Sequence, residues 1–203
     1  MSQTWFRSDD HIGHLNILRY DARPFSTIEE HDEALINNHN ALVNKNDIVW
    51  FLGDVLFVRD KTDDALTAII KRFNGHKHLI LGNHDNRFRG HRFGFGFGSI
   101  QDVKDLSING QRIFLSHYSH RVWPGKNKGA AMLYGHSHGN LPEDGSLSFD
   151  VGVNSWDYKP VSLEQVQGKI RKILSSHSPK PAIIDPNDST GQTEELGEGV
   201  QCS

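Results

Sequence analysis

Nine polar residues in this chain have the types and spacing to do chemistry. They are Asp9 and His11 in "SDDHIGH", Asp54 in "FLGD", and Asn83, His84 and Asp85 in "LGNHD", then His117 in "FLSHYSH" and His136 and His138 in "GHSH". Each group follows an apolar run, and several follow a glycine, which lets the backbone turn sharply. Neutral imidazole and carboxylate oxygen form a borderline-hard donor set. It suits zinc, iron, manganese, cobalt or nickel better than calcium. Seven or more such donors exceed one tetrahedral site, but two metal ions sharing a bridging carboxylate would use them. Asp54 is the natural bridge, because it stands alone in its segment and can present two oxygens. Read singly, each residue is as well explained as a loop cap. The ordered set, each member following a strand-like run, is not.

The elements that position these groups alternate between strand and helix. Thr4 to Ser8, "IVWFLGD", "LIL", "AMLYGH" and "SFDVGVN" read as strands. Ser26 to Glu29 is a capping-box pattern that opens a helix to about Val43, with Ile28, Leu35, Ile36, His39, Leu42 and Val43 near helical spacing. Thr62 to Phe73 reads as a second helix with Leu66, Ile69, Ile70 and Phe73 on one stripe. Asn109-Gly110 between "VKDLSI" and "RIFLSH" predicts a two-residue hairpin. Ser162 caps a last helix with Leu163, Val166, Ile170 and Ile173 inward. Buried strands separated by helices, then a hairpin, predict an α/β fold of two packed sheets with helices outside. Ligands of such sheets sit beyond the carboxyl ends of the strands.

Composition bounds the remaining possibilities. The 203 residues, 36% hydrophobic, suit one domain with or without a tail. No apolar run approaches the roughly 20 residues that cross a bilayer, and no signal pattern opens the chain. A soluble cytoplasmic protein without membrane partners is expected. Cys202 is the one cysteine, so no disulfide or cysteine metal site can form within the chain. From Ser175 onward one lysine stands against five acidic residues, with prolines and no aromatics. Residues 1–174 are read as the domain and residues 175–203 as a flexible acidic tail. Residues 106–142 carry four Arg or Lys and no acidic residue. That balance suits an anionic ligand but is too modest to argue for nucleic acid.

The order D-x-H, G-D, G-N-H-D, H, G-H-x-H resembles the calcineurin-like metallophosphoesterase superfamily, from Asp9 to about Asn154. The opening "TWFRSDDHIGHLNILRYDARPF" further looks like its small single-domain bacterial and phage members. The resemblance implies a four-layer α/β/β/α sandwich of two mixed sheets. It implies Asp9, His11 and His138 as ligands of one metal, Asn83, His117 and His136 as ligands of a second, and Asp54 between them. His84 matches the catalytic histidine and Asp85 the acidic residue that follows it, expected to fix the orientation of His84. Two divalent transition metals are expected, manganese ahead of iron, zinc, nickel or cobalt. The chain departs from many relatives after the "GD" aspartate, where a second acidic residue is common and "GDVLF" is apolar.

The implied reaction is hydrolysis of a small phosphate ester, a diester more than a monoester. A metal-bridging hydroxide would attack, with His84 as general acid. A nuclease on the same site, with nucleic acid as substrate, is the alternative; a non-catalytic scaffold of the same fold would predict eroded ligands. His14, Arg87, His120 and Arg121 lie close enough in sequence to touch substrate. "FGFGFG", Phe93 to Gly98, reads as a loop that pins its rings onto the core, with a flap that stacks on a base as the other reading. The sequence leaves the oligomeric state open.

Overall fold

The computed structural model describes residues 2–58 and 61–177. Strands β1 (Thr4–Arg7), β2 (Ile48–Phe51), β3 (His76–Ile80) and β4 (Ser99–Gln101) run parallel, and β9 (Val161–Ser162) pairs antiparallel with β1. The order of this first sheet is β4-β3-β2-β1-β9. The central strand β2, Ile-Val-Trp-Phe, is a continuous apolar run because both of its faces are covered. Trp5, Val49, Phe51 and Leu79 face one core, while Phe6, Trp50 and Ile80 face another.

The second sheet, also mixed, has the order β5-β6-β7-β8: Val103–Ile108, Gln111–Ser116, Ala131–Tyr134 and Ser148–Asp150. β5 and β6 form the predicted hairpin. Asn109 and Gly110 have φ of 50° and 79°, the two positive values that a type I′ turn requires. Ile113, Leu115, Ala131, Leu133, Phe149 and Val151 meet the first sheet in a shared core, which fixes the two sheets face to face.

Helices α2 (Ile28–Leu42) and α3 (Asp63–Lys71) cover the outer face of the first sheet with Leu35, Ile36, Leu66 and Ile70. The cap of α2 is Thr27 rather than Ser26. Its hydroxyl accepts from Glu30 N–H, and Glu30 reaches back to Ser26 N–H. Leu42 turns outward, and His31 and His39 take buried positions on that stripe because each is hydrogen-bonded to an arginine. α1 (Ile17–Tyr20) is a single turn after the loop that carries Asp9 and His11. α4 (Leu163–His177), begun by a reciprocal Ser162–Gln165 capping pair, packs Val166 and Ile170 into the inter-sheet core. The outer face of the second sheet is covered by the segment around the 3-10 turn Lys126–Lys128, where Trp123 and Ala130 pack on Phe114, Met132 and Tyr134. The expected acidic tail lies outside the described residues from 178 onward. Among the described residues no helix is long and apolar enough to cross a membrane.

Arg7, the last residue of β1, is fully buried. Its guanidinium pairs with Asp10, donates to His39 Nδ1 at 2.9 Å and lies over the rings of Phe51 and Phe73. Removing one partner of a buried pair leaves the other charge uncompensated. Arg7→Met is therefore expected to cost about 3–5 kcal/mol in urea denaturation, and Arg7→Met with Asp10→Leu clearly less. Equal losses in the single and double variants would show that the pair itself contributes nothing.

Candidate metal centre

The carboxyl ends of β1, β2, β3, β6 and β7 open into one crevice, and all nine residues singled out by type and spacing follow them directly. The chain turns at once out of the strand direction. Asp9, His11, Asp54, His136 and His138 have φ of 60°, 52°, 53°, 66° and 48°, the left-handed region that non-glycine residues rarely occupy. Close approach of the loops depends on glycine. A Cβ on Gly82 would overlap the Asp54 carboxylate, and one on Gly135 would overlap Ser8 and the Asp9 carboxylate.

Two groups of donor atoms result. Asp9, His11 and His138 converge within 4.8 Å, and so do Asp54, His117 and His136. In the first, His11 Nε2 and His138 Nε2 face one another at 3.2 Å, and Asp9 Oδ1 lies 3.5 Å from His138 Nε2. His138 Nδ1–H donates to Asp21 at 2.7 Å, which aims its Nε2 at the group. In the second, His117 Nδ1–H donates to the Leu52 carbonyl at 2.7 Å, so its Nε2 carries the lone pair. That lone pair faces Asn83 Oδ1 at 3.0 Å and Asp54 Oδ2 at 3.5 Å. Asp54 Oδ2 is also 3.8 Å from His11 Nε2, between the two groups.

The donor chemistry fits a cation. Three acceptor atoms, on His117, Asn83 and Asp54, point at one another, and a positive charge at their centre resolves the repulsion. Electrostatics around the first group have the same sense. Burial opposes protonation of His138, but hydrogen bonds and charge from Asp21 and Asp9 outweigh it and raise the imidazole to about 10. A cation among these atoms would answer the same negative field. Burial lowers the neighbouring His11 to about 3, keeping that ring neutral as a ligand must be.

Sequence comparison agrees with this geometry. Residues 8–181 match the calcineurin-like phosphoesterase family. The chain belongs to that family. It is 33% identical over 178 residues to an uncharacterized protein of Methanocaldococcus jannaschii, covering 85% of this chain and 93% of that one. It is 26% identical over 201 residues to the Gene 66 protein of Mycobacterium phage L5, covering 85% and 96%. Among solved structures, a protein of unknown function from Aquifex aeolicus shares the fold, with a TM-score of 0.66, 23% identity, and coverage of 83% of this chain and all of that one.

Other expected residues of this phosphoesterase divide. His84 stands at the centre, its ring 3.9 Å from Asp54 Oδ2 and its backbone N–H on Asp54 Oδ1 at 2.9 Å. Asp85 does not orient it. The Asp85 carboxylate turns inward and accepts the N–H groups of Gly82 and Asp54, both at 2.8 Å, because those turns would otherwise bury unpaired donors. Burial raises it to about 6, with the Gly82 N–H opposing. His14 stacks on Phe57 beside His11 and His84. Arg87 pairs with Asp63 at the rim near His84. His120 and Arg121 line a different cavity, with Trp123 and Tyr134 on the second sheet's outer side, and His120 Nε2 is held at 2.9 Å from Ser116 Oγ. In "FGFGFG", Phe95 and Phe97 pack on the core and Phe93 is 73% exposed.

Asp21, Arg23 and Asn154 carry no motif and were missed. Buried Arg23 donates to the Asp9 carbonyl at 2.8 Å, the Asp10 carbonyl at 3.1 Å and Asn154 Oδ1 at 2.8 Å, holding the first ligand loop from behind. The one available signal was the doubled aspartate, "DD", in which only Asp9 can face the metal group and Asp10 needs a cation elsewhere.

Asp85→Ala should lower bound metal to well below half that of the unmodified protein, since it frees the Asp54 turn, whereas His84→Ala should retain it. Elemental analysis after loading and desalting checks both. Full metal in Asp85→Ala would remove its assigned role.

Proposed function

We propose that this chain is a phosphoric ester hydrolase that works with two divalent transition metal ions, manganese foremost, and acts on small phosphodiesters in preference to monoesters. The observation that carries the reading is Asp54, with one oxygen within 4 Å of ring nitrogens from both donor groups and His84 directly beside it. Asp9, His11 and His138 would hold one ion, Asn83, His117 and His136 the other, and Asp54 would serve both. When bound, such ions supply Lewis acidity toward phosphoryl oxygens and lower the pKa of a water.

The chain's own residues do the rest. Asn83 adds an amide oxygen without further negative charge. The carboxylates of Asp9 and Asp54 are also fixed by backbone donors of the next loops, from His136 N–H and His84 N–H, so the donor groups are pre-set rather than gathered by the ligand. His84 is half-exposed, unlike buried His11 and His117, and stands edge-on to Phe57 with its ring centroid 5.0 Å away. A ring fixed by its backbone and a neighbouring side chain, yet open to solvent, is suited to hand a proton to a leaving oxygen.

The diester preference is supported by the placement of cations. A monoester dianion asks for a further positive clamp. Arg87 is turned toward Asp63 at the exposed rim, Arg121 faces the other cavity and Arg23 lies behind Asp9.

Chelation should abolish hydrolysis of bis(4-nitrophenyl) phosphate and manganese should restore it. His84→Ala should slow hydrolysis by about 100-fold on poor leaving groups, with a smaller deficit for nitrophenol, which needs less protonation. A deficit equal across leaving groups would exclude His84 as the acid. Paired kcat/KM values on the bis- and mono-nitrophenyl esters with one metal should favour the diester; a clear monoester preference refutes that part of the reading.

A further inference from the structure

A cavity of about 250 Å³ opens beside His84. Leu56, Phe57 and Val58 from the run after Asp54 form one wall, and Leu66 of α3 and Phe88 form the other. The Phe57 ring is held by stacking on His14, with centroids 3.9 Å apart. The polar lining among the described residues, His84, Asn86 and Arg87, stands apart from these apolar walls. Arg87 is drawn to Asp63, and Asn86 accepts from Arg89 Nε through its Oδ1. An apolar ring would bury its faces between Leu56, Phe57, Val58, Leu66 and Phe88.

The position of this cavity relative to His84 gives it a chemical role. In hydrolysis a P–O bond forms to water and the P–O bond to the alcohol breaks. The leaving oxygen keeps that electron pair and takes the proton carried by His84 Nε2, while the attacking water gives up a proton to solvent. The alcohol must then sit on the His84 side of the phosphorus. We propose that this cavity is the leaving-group pocket and that it selects ring-bearing or comparably bulky apolar alcohols. The inference rests on the phosphoesterase reading above and adds to it the class of leaving group. The apolar stretch Leu56 to Val58 after Asp54 is thereby a specificity element.

Two methyl phosphodiesters test it, with leaving alcohols of matched acidity, one a substituted phenol and one a small fluorinated alkanol. The manganese-loaded protein should favour the phenol ester at least about tenfold in kcat/KM. In Val58→Glu that ratio should fall by at least about tenfold. As a measurement independent of turnover and of the variant's folding, a free phenol added to the unmodified protein should shift the methyl NMR signals of Leu56, Val58 and Leu66. Equal rates on the two esters, or a phenol that shifts methyls elsewhere and not these, overturns the pocket while leaving the phosphoesterase reading intact. Failure to hydrolyse either ester overturns that reading and the pocket with it.

Discussion

Five of the seven metal-ligating candidates sit in left-handed backbone, and the rest of the site is arranged around that strain. Such a conformation costs on the order of 1–3 kcal/mol for each non-glycine residue and persists only where the surroundings over-determine it. The gain is directional. A strand continued past Arg7 or Phe51 would lay its next side chains along the sheet. The left-handed turn drops them into the crevice, where loops from two sheets can face one another.

What over-determines the turns is a set of hydrogen bonds that run from loop to loop. Asp9 accepts the N–H of His136 from the second sheet, and Asp54 accepts that of His84 from the neighbouring strand's loop. Asp85 then ties Asp54 to Gly82. The two candidate ligand carboxylates thus accept from backbone as well as facing the donor groups. Behind them, Arg23 and Arg7 put buried positive charge near Asp9 and Asp10, so the acidic loop is compensated from the protein side. The strain, the charge and the sheet packing are therefore one arrangement: a loop released at one point loses its acceptor at another.

This interdependence explains which features could be read from the sequence. The donor residues were legible because each follows an apolar strand at a fixed offset. The two sheets and three main helices were legible from apolar pattern, and the hairpin from the Asn109-Gly110 pair. β3 was read only from Leu79 because His76, Lys77 and His78 break its apolar pattern; yet His78 stacks on Trp50 and bonds Ser99, so the strand begins earlier. β4 and β9 are too short to have a period. Asp21, Arg23 and Asn154 were illegible for a different reason. Their roles follow from the α1 turn folding back beneath the first ligand loop, and no local spacing encodes that meeting. Asp85 was misread because adjacency to His84 suggested a partner, whereas unpaired backbone donors at Gly82 and Asp54 make the stronger demand on its carboxylate.

The apolar "VLF" after Asp54, where many relatives place a second acid, has a physical place in the same scheme. Ile12 N–H donates to the Val55 carbonyl at 3.0 Å, and Phe57 N–H to the Ile12 carbonyl at 2.8 Å. Two segments that diverge at the strained Asp9 and Asp54 turns are paired again just beyond them, with Ile12 and Leu56 bridged in parallel. Val55 and Leu56 are buried in the same core as α3. Each strained turn is thus held at both ends, by the β1–β2 ladder before it and by this short pairing after it. An acidic side chain at Val55 or Leu56 would need solvent or a counter-charge inside the core, and the pairing would loosen next to Asp54, whose carboxylate lies between the two donor groups.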